Sequence, residues 1–261
     1  MTVFEVKSLH AGYDGKTIIE NLTVNLKKGA ITTIIGENGC GKSTLLKTLG
    51  RILHPMSGEV YVQGKNVHRT DTREIARIIG LLPQSPKAPS GLSVEEVVEY
   101  GRFPHKHKNS KLTPEDRKVI DSALEKTNLL ELRTRSINNL SGGQRQRVWI
   151  AMVLAQQTDI ILLDEPTTYL DMAYQLEVLN LVKSLNREQN VTVIMVLHDI
   201  NLASRFSDEL IMMRSGRIIA QGPPAETMIP ENLKKVFDVD ATLITLPGSS
   251  TPVCVSYEVF R

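Results

Sequence analysis

A short glycine-rich segment constrains the fold of this 261-residue chain more than any other feature. Residues 36 to 43 read GENGCGKS and fit the pattern G-x-x-x-x-G-K-[ST], which joins a strand to a helix. An apolar run, Ile31–Ile35, precedes the segment, and a helical pattern, Lys42–Ile52, follows it. This order predicts an α/β fold with a phosphate loop at this segment, and a glycine-rich turn that only caps a helix is the alternative to the phosphate loop.

The same segment has the composition of a phosphate-binding loop. Small residues let backbone N–H groups curl around phosphate oxygens, and the N-terminus of the following helix adds its dipole. In this pattern Lys42 meets the β- and γ-phosphates, and the Ser43 hydroxyl ligates Mg²⁺. The candidate residues are Gly36, Glu37, Asn38, Gly39, Cys40, Gly41, Lys42 and Ser43.

Apolar patterning predicts two kinds of strand. Alternating residues predict half-buried strands and antiparallel hairpins in the first third of the chain. Continuous apolar runs predict strands of a mostly parallel inner sheet, covered by helices on both faces. The alternating set is Ile18, Leu22, Val24 and Leu26, with Val60 and Val62, and the continuous runs are Ile31–Ile35, Ile78–Leu82, Ile160–Leu163 and Val191–Leu197.

Helical patterns fill most of the remaining chain. Between Ser93 and Leu154 they predict helices and no strand, with a helix start where Thr113 precedes Pro114. Another helix is predicted over Asp171–Arg187. We therefore expect one domain. Residues 1–84 and 156–222 form a core with a β subdomain, and residues 85–155 form a helical insertion. Residues 223–261 form an appendage that contains a short helix and a small β element.

Composition and charge exclude several classes of protein. No apolar run approaches the about 20 residues that a membrane-spanning helix needs, and the first residues lack a secretory signal. The 31 Lys and Arg residues nearly balance the 29 Asp and Glu residues, so no nucleic-acid partner is indicated. Two cysteines, Cys40 and Cys254, do not make a disulfide framework. We expect a cytoplasmic protein.

Polar residues follow the other predicted parallel strands. Asp164 and Glu165 end one run, Gln84 follows another, and His198 follows the last. Ligands bind at the carboxyl ends of parallel strands, so we expect these residues to meet in one crevice. Asp164 would support Mg²⁺, and Glu165 would orient or deprotonate an attacking water. Each residue also has a structural alternative. Asp164 and Glu165 would be an acidic pair that faces solvent, Gln84 a loop residue, and His198 the start of a helix that the next residue caps.

A second glycine-rich segment, Leu140–Gln144, precedes a helical pattern at Arg145–Leu154. Ser141, Gly142 and Gly143 at a helix N-terminus form an anion site of the same type as the first segment. Two such sites mean either that one chain binds two nucleotides or that sites from two copies face each other. Periodicity alone leaves both readings open.

The order of these motifs resembles that of the ATP-binding subunits of ABC transporters along essentially the whole chain. GENGCGKST resembles the phosphate loop, LPQ the Q-loop and LSGGQ the family signature. ILLDEP resembles the magnesium strand with its catalytic glutamate, TTYLD the D-loop and LHD the switch histidine. The resemblance implies an α/β phosphate-loop ATPase that binds Mg²⁺ and ATP.

The resemblance also implies a head-to-tail homodimer. Each ATP would lie between the phosphate loop of one subunit and Ser141–Gln144 of the other, and Asp171 would reach across the dimer. Tyr13 would stack on adenine, with strand-turn packing as its alternative. The implied catalytic residues are Gln84, Glu165 and His198, the implied Mg²⁺ ligands are Ser43, Gln84 and Asp164, and Thr44, Ser141, Gly142, Gly143 and Gln144 join the ATP-binding set.

Three segments support a narrower resemblance. Residues 100–105 (YGRFPH), 145–152 (RQRVWIAM) and 167–171 (TTYLD) are similar to subunits that drive bacterial uptake of iron(III)-siderophores and ferric dicitrate, with haem and vitamin B12 relatives. This likeness implies a polytopic membrane permease, an extracytoplasmic siderophore-binding protein and a position on the cytoplasmic face of the membrane. Glu37 stands where many of these subunits have Pro. This difference leaves the glycines of the loop and Lys42 in place.

Other functions are weighed against this one. A soluble ABC ATPase in DNA repair, translation or cofactor assembly would keep the ATP site without a membrane partner. A non-hydrolysing nucleotide switch is disfavoured because the chain has both Glu165 and His198. Export instead of uptake is a further alternative, but exporters more often fuse the ATPase to a membrane domain. The run His105–Lys108 has the spacing of a basic solvated loop rather than of a metal site.

Overall fold

The structure is a computed structural model that describes residues 1–86, 89, 91–106 and 111–260. Strands and helices are interspersed along this described part of the chain. In chain order the elements are β1 Thr2–Tyr13, β2 Lys16–Lys27, β3 Ile31–Gly36, α1 Lys42–Leu49, β4 Ser57–Val62, β5 Lys65–Asn66, α2 Thr72–Ala76, β6 Ile79–Leu82, α3 Val94–Glu99, α4 Pro114–Lys126, α5 Gly142–Ala155, β7 Ile160–Asp164, α6 Met172–Gln189, β8 Thr192–Val196, α7 Ile200–Phe206, β9 Glu209–Arg214, β10 Arg217–Gly222, α8 Pro224–Thr227, α9 Pro230–Phe237, β11 Val239–Thr245 and β12 Pro252–Val259.

The chain divides into two compact units. The first comprises residues 1–70 and 192–261, and the second comprises residues 71–191. The domain boundaries inferred from the sequence stay a prediction.

An antiparallel sheet opens the first unit, with strand order β2-β1-β4-β5. The predicted antiparallel hairpins of the first third are therefore confirmed. Phe4 and Val6 of β1 are buried together with Val60 and Val62 of β4, which they face in the register. These apolar pairs form the buried face of the sheet.

The predicted face of β2 is wrong at its start. Ile19 is fully buried, whereas Ile18 is only half-buried. The register explains the change, because Leu9 pairs with Leu22 but Ala11 pairs with Ile19, so β2 carries one extra residue between these pairs. A bulge of this kind moves the following side chains to the opposite face.

Parallel strands form the centre of the first unit. β3 lies between β8 and β9 and runs parallel to both, while β10 pairs antiparallel with β9. Every residue of β3 and β8 is buried, as predicted for strands that are covered on both faces. The β9–β10 hairpin was not predicted.

Helix α1 ends earlier than predicted. It closes at Leu49 rather than at Ile52, because Gly50 caps the helix and the next residue, Arg51, has a φ of 63°. A left-handed residue directly after a helix terminates it. The short helix and the small β element predicted after Gly222 are confirmed, since α9 ends at Phe237 and β11 pairs with β12.

The second unit contains the parallel pair β6–β7 and a group of packed helices, α3, α4 and α5. Among the described residues between 93 and 154, helices and one isolated bridge, from Ser93 to Ser136, are present. Thr113 caps α4 as predicted, in a reciprocal capping box with Asp116. The helical character predicted for this segment is confirmed.

The basic run at His105–Lys108 is only partly described. His107 and Lys108 lie outside the described residues. His105 is half-buried, and its Nε2 lies 2.8 Å from the carbonyl oxygen of Gln156 at the end of α5. The interpretation of the whole run as a solvated loop stays a prediction.

A buried ion pair joins the helices of the second unit. Arg102 donates through Nε to Asp116 at 2.8 Å and through Nη1 to the Ala155 carbonyl oxygen at 2.8 Å. Burial acts to raise the pKa of Asp116, but hydrogen bonds from Thr113 and Arg102 outweigh it and lower the pKa to about 2. The pair therefore stabilises the fold above the ordinary pKa of Asp and loses that contribution as the pH falls through the lowered value.

We predict that Arg102→Leu lowers the free energy of unfolding by about 3 kcal/mol at neutral pH, because it leaves the Asp116 carboxylate buried without its cation. Urea denaturation followed by circular dichroism measures this change. Lys118→Leu is the control, since Lys118 and Glu115 form an exposed pair with 3.7 Å between Nζ and Oε2. Equal midpoints for the two variants would contradict the prediction.

Candidate functional site

The phosphate-loop candidate begins where β3 ends. Gly36, Gly39 and Gly41 have φ values of 154°, 78° and 107°, which side chains rarely adopt. A Cβ at Gly36 would lie 2.1 Å from the carbonyl oxygen of Met213 in β9, so only glycine fits there. The loop is thus fixed against β9 while it turns into α1. The N-cap of α1 is Gly41, which has no side chain to accept a hydrogen bond from the first N–H groups of the helix.

Lys42 points back into this loop. Its Nζ donates to the carbonyl oxygens of Gly36 at 2.9 Å and of Glu37 at 2.8 Å. The side chain is buried, and Thr44 beside it in the first turn of α1 is buried as well. A desolvated cation among loop carbonyls and helix N–H groups is an arrangement suited to a phosphate ligand.

Cys40 ties the loop to the β9–β10 turn. Its carbonyl oxygen accepts a hydrogen bond of 2.9 Å from the Gly216 N–H. Burial raises the pKa of the Cys40 thiol, an effect that the nearby Lys42 partly opposes. Cys40 is therefore a neutral, buried part of the loop.

Two other candidates lie in the same unit. His198 is exposed and follows β8, the parallel neighbour of β3, with Val196 opposite Ile34 in the register. The phosphate loop and His198 therefore lie at the same edge of the sheet, as predicted. Tyr13 ends β1 at the hairpin turn and is 40% exposed, so its ring is accessible.

The second unit brings Gln84 and Glu165 together. Asp164 is buried at the end of β7, and Glu165 follows it with a φ of 53°. The Glu165 carboxylate accepts hydrogen bonds from Gln84 Nε2 at 2.6 Å and from Thr168 Oγ1 at 3.1 Å. Two donors thus orient one carboxylate directly beside the strand end.

Thr168 was not singled out from the sequence as a site residue. Its position three residues after Glu165 is a local signal, because a threonine hydroxyl readily bonds a group one turn away. The convergence of all the strand ends on one crevice stays a prediction.

The second glycine-rich segment starts α5. Ser141 is the N-cap, its Oγ accepts from the Gln144 N–H at 3.2 Å, and Gln144 Oε1 accepts from the Ser141 N–H at 3.1 Å. The two glycines differ in their surroundings. A Cβ at Gly143 would lie 2.9 Å from the ring of Tyr174, whereas a Cβ at Gly142 would meet no atom within 4 Å.

Asp171 caps a helix in the second unit. Its Oδ1 accepts from the Tyr174 N–H at 3.0 Å at the start of α6. The cap gives Asp171 a structural task in the single chain, and a contact with a second subunit stays a prediction.

Comparison with known proteins agrees with this geometry. The sequence profile of the family described as ABC transporter matches residues 19–168. The iron(3+)-hydroxamate import ATP-binding protein FhuC of Bacillus subtilis (strain 168) is 50% identical over 261 residues, which cover 100% of this chain and 97% of FhuC. This chain belongs to the ABC transporter family. As a member, it is an ABC-type ATPase, and the resemblance read from its motifs is confirmed.

Two further similarities extend the comparison. The achromobactin transport ATP-binding protein CbrD of Dickeya dadantii (strain 3937) is 45% identical over 257 residues, 98% of this chain and 96% of CbrD. The ATP-binding cassette MJ0796, solved as a dimer in a post-hydrolysis state with ADP and Pi, matches with a TM-score of 0.75 and 31% identity over 84% of this chain and 98% of that one. The predicted α/β phosphate-loop fold is confirmed.

The signature glycines of this ABC ATPase give a paired prediction. Gly142→Ala should leave the melting temperature unchanged, because its methyl group enters open space, and should slow ATP hydrolysis at least about tenfold by obstructing an approaching phosphate. Gly143→Ala should lower the melting temperature by about 3 °C or more, because Tyr174 must shift.

Differential scanning fluorimetry measures the melting temperature of each variant, and a phosphate-release assay measures its rate of ATP hydrolysis. Tyr174→Leu should restore the melting temperature of Gly143→Ala and not the activity of Gly142→Ala. The opposite assignment of the two glycines would contradict this account.

Proposed function

We propose that this chain hydrolyses ATP to drive the uptake of an iron(III)-siderophore, or of a related iron chelate, through a membrane permease. The observation that carries the ATPase part is the Glu165 carboxylate held by Gln84 and Thr168 beside Asp164. The substrate class is supported by the 50% identity with a protein named for iron(3+)-hydroxamate import.

The phosphate loop would bind the nucleotide. Residues 36–44 surround the buried Lys42 ammonium, whose present acceptors are two loop carbonyls. Phosphate oxygens carry negative charge and are stronger acceptors than carbonyl oxygens. The phosphate oxygens would therefore replace the two carbonyl oxygens as acceptors of the Lys42 ammonium. The open ring of Tyr13 would stack on adenine.

The candidate metal ligands fit Mg²⁺. Ser43, Gln84 and Asp164 offer a hydroxyl, an amide and a carboxylate, and Mg²⁺ prefers such oxygen ligands. Gln84 Nε2 donates to Glu165, so its Oε1 is the atom that would ligate the ion. When bound, Mg²⁺ neutralises charge that develops on the β- and γ-phosphate oxygens.

Glu165 would act as the general base. A carboxylate fixed by two donors has a defined direction in which to accept the proton of the attacking water. His198 would contact the γ-phosphate from the edge of the sheet that also carries the phosphate loop.

A second copy of the chain would complete each ATP site. The N–H groups at the start of α5 and the Ser141 hydroxyl would form an anion site in addition to the phosphate loop, because Ser141 is the N-cap of this helix. In a head-to-tail homodimer, Ser141–Gln144 of one subunit would close over the ATP of the other, and Asp171 would reach across the interface. The MJ0796 cassette, solved as a dimer with ADP and Pi, supports the dimeric state.

The membrane partner would be a separate polytopic permease. Among the described residues no helix is both long and apolar enough to span a membrane. We place the chain on the cytoplasmic face of the membrane, with the permease held beside the Q-loop and the helical insertion at 85–155. An extracytoplasmic siderophore-binding protein would deliver the cargo to the permease.

We predict that Glu165→Gln keeps ATP binding and slows phosphate release by about 10²–10⁴-fold, because it removes the proton acceptor while preserving the shape of the side chain. The same variant should accumulate as an ATP-bound dimer in size-exclusion chromatography. Thr168→Val, which removes one donor to the carboxylate, should produce a smaller loss.

The uptake part needs a cellular readout. In native host cells that lack the chain, the wild type should restore accumulation of radiolabelled iron(III)-hydroxamate, and Glu165→Gln should not. Normal phosphate release by Glu165→Gln would overturn the base assignment. Full iron accumulation without the chain would overturn the siderophore assignment and leave the ATPase intact.

A further inference from the structure

The C-terminal hairpin is attached to α7 by side-chain hydrogen bonds. Asn201 Nδ2 donates to the Cys254 carbonyl oxygen at 3.0 Å, and the Cys254 N–H donates to Asn201 Oδ1 at 2.8 Å. One helical turn later, Ser204 Oγ donates to the Pro252 carbonyl oxygen at 2.7 Å. Side chains on one face of α7 therefore satisfy backbone N–H and C=O groups of β12 that a neighbouring strand would otherwise bond.

The attached helix begins directly after His198. Asp199 is its N-cap, and Asp199 Oδ1 accepts from the N–H groups of Asn201 at 2.8 Å and Leu202 at 2.9 Å. Asn201 therefore joins two networks: its backbone belongs to the cap beside His198, and its side chain belongs to the hairpin.

A cavity of about 420 Å³ lies between these elements. His198 and Asn201 line it from the start of α7, and Cys254 and Tyr257 line it from β12. The hairpin therefore borders a cavity that His198 also lines. A shift of the hairpin would change both the backbone position and the surroundings of His198.

We propose that the C-terminal hairpin positions His198 for ATP hydrolysis and that Asn201 is the positioning residue that links them. This inference rests on the proposed role of His198 at the γ-phosphate. The reciprocal hydrogen bonds hold the first turn of α7, and the residue just before its cap is held with it. Without them, His198 samples other orientations, while nucleotide binding by the phosphate loop is unchanged.

The test compares Asn201→Ala with Asn232→Ala in the full-length chain. Asn232 Nδ2 donates to the Thr227 carbonyl oxygen at 2.9 Å in the same unit, so its loss removes a similar bond away from His198. Asn201→Ala should lower kcat at least about fivefold and leave KM for ATP within about twofold. Asn232→Ala should keep both parameters within about twofold of the wild type.

A double-mutant cycle separates positioning from general destabilisation. In a His198→Ala background, Asn201→Ala should cause no further loss of kcat, because the residue through which it acts is absent. Ser204→Ala is a milder change on the same face of α7. It should cause a smaller loss of kcat and leave KM unchanged, so it provides a second test if Asn201→Ala folds poorly.

Several results would overturn the inference. An equal loss of kcat in Asn232→Ala, a parallel rise in KM, or an additive loss in the His198→Ala background would each do so. Phosphate release by the wild type is measured first, and its absence would overturn the proposed function together with this inference. Normal wild-type activity with an unaffected Asn201→Ala would overturn the inference alone.

Discussion

The enclosed charge of Lys42 is the constraint on which the rest of the phosphate loop depends. A buried ammonium is stable only where acceptors surround it, and the carbonyl oxygens of Gly36 and Glu37 supply them. To turn those carbonyls inward, the loop adopts left-handed conformations and packs Gly36 against the backbone of Met213. The same enclosure that stabilises Lys42 in the chain alone would prepare it for the stronger acceptors of a nucleotide, in the role that we propose for it.

Features that depend on a few neighbouring residues were predictable from the sequence. The glycine loop followed by α1, the cap at Thr113 and the acidic pair at the end of β7 each follow from local rules of turns, caps and strand ends. The alternation in β2 also predicted a strand, but it missed the bulge that exchanges Ile18 for Ile19 on the buried face. One extra residue in the pairing is invisible until the partner strand is known.

The sequence patterns predicted that Gln84 and Glu165 meet at strand ends, but the specific hydrogen bonds between distant residues were beyond these patterns. Gln84 and Glu165 are 81 residues apart, and Asn201 and Cys254 are 53 apart, so their hydrogen bonds follow from the packing of whole elements. The motifs placed Gln84, Glu165 and His198 at strand ends without showing which donors orient them. Thr168, the second donor to Glu165, carries a local signal in its spacing of three residues. The attachment of α7 to the hairpin has no such signal and emerges only from the structure.

The central claim, that this ABC ATPase drives a membrane permease, is tested most directly by purification of the tagged chain from detergent-solubilised native membranes. Mass spectrometry would identify the co-purifying proteins, and phosphate release would be assayed on the same eluate. The account predicts a polytopic permease in constant ratio to the chain, together with ATP hydrolysis. Recovery of the active chain with cytoplasmic or nucleic-acid partners and no permease would contradict it.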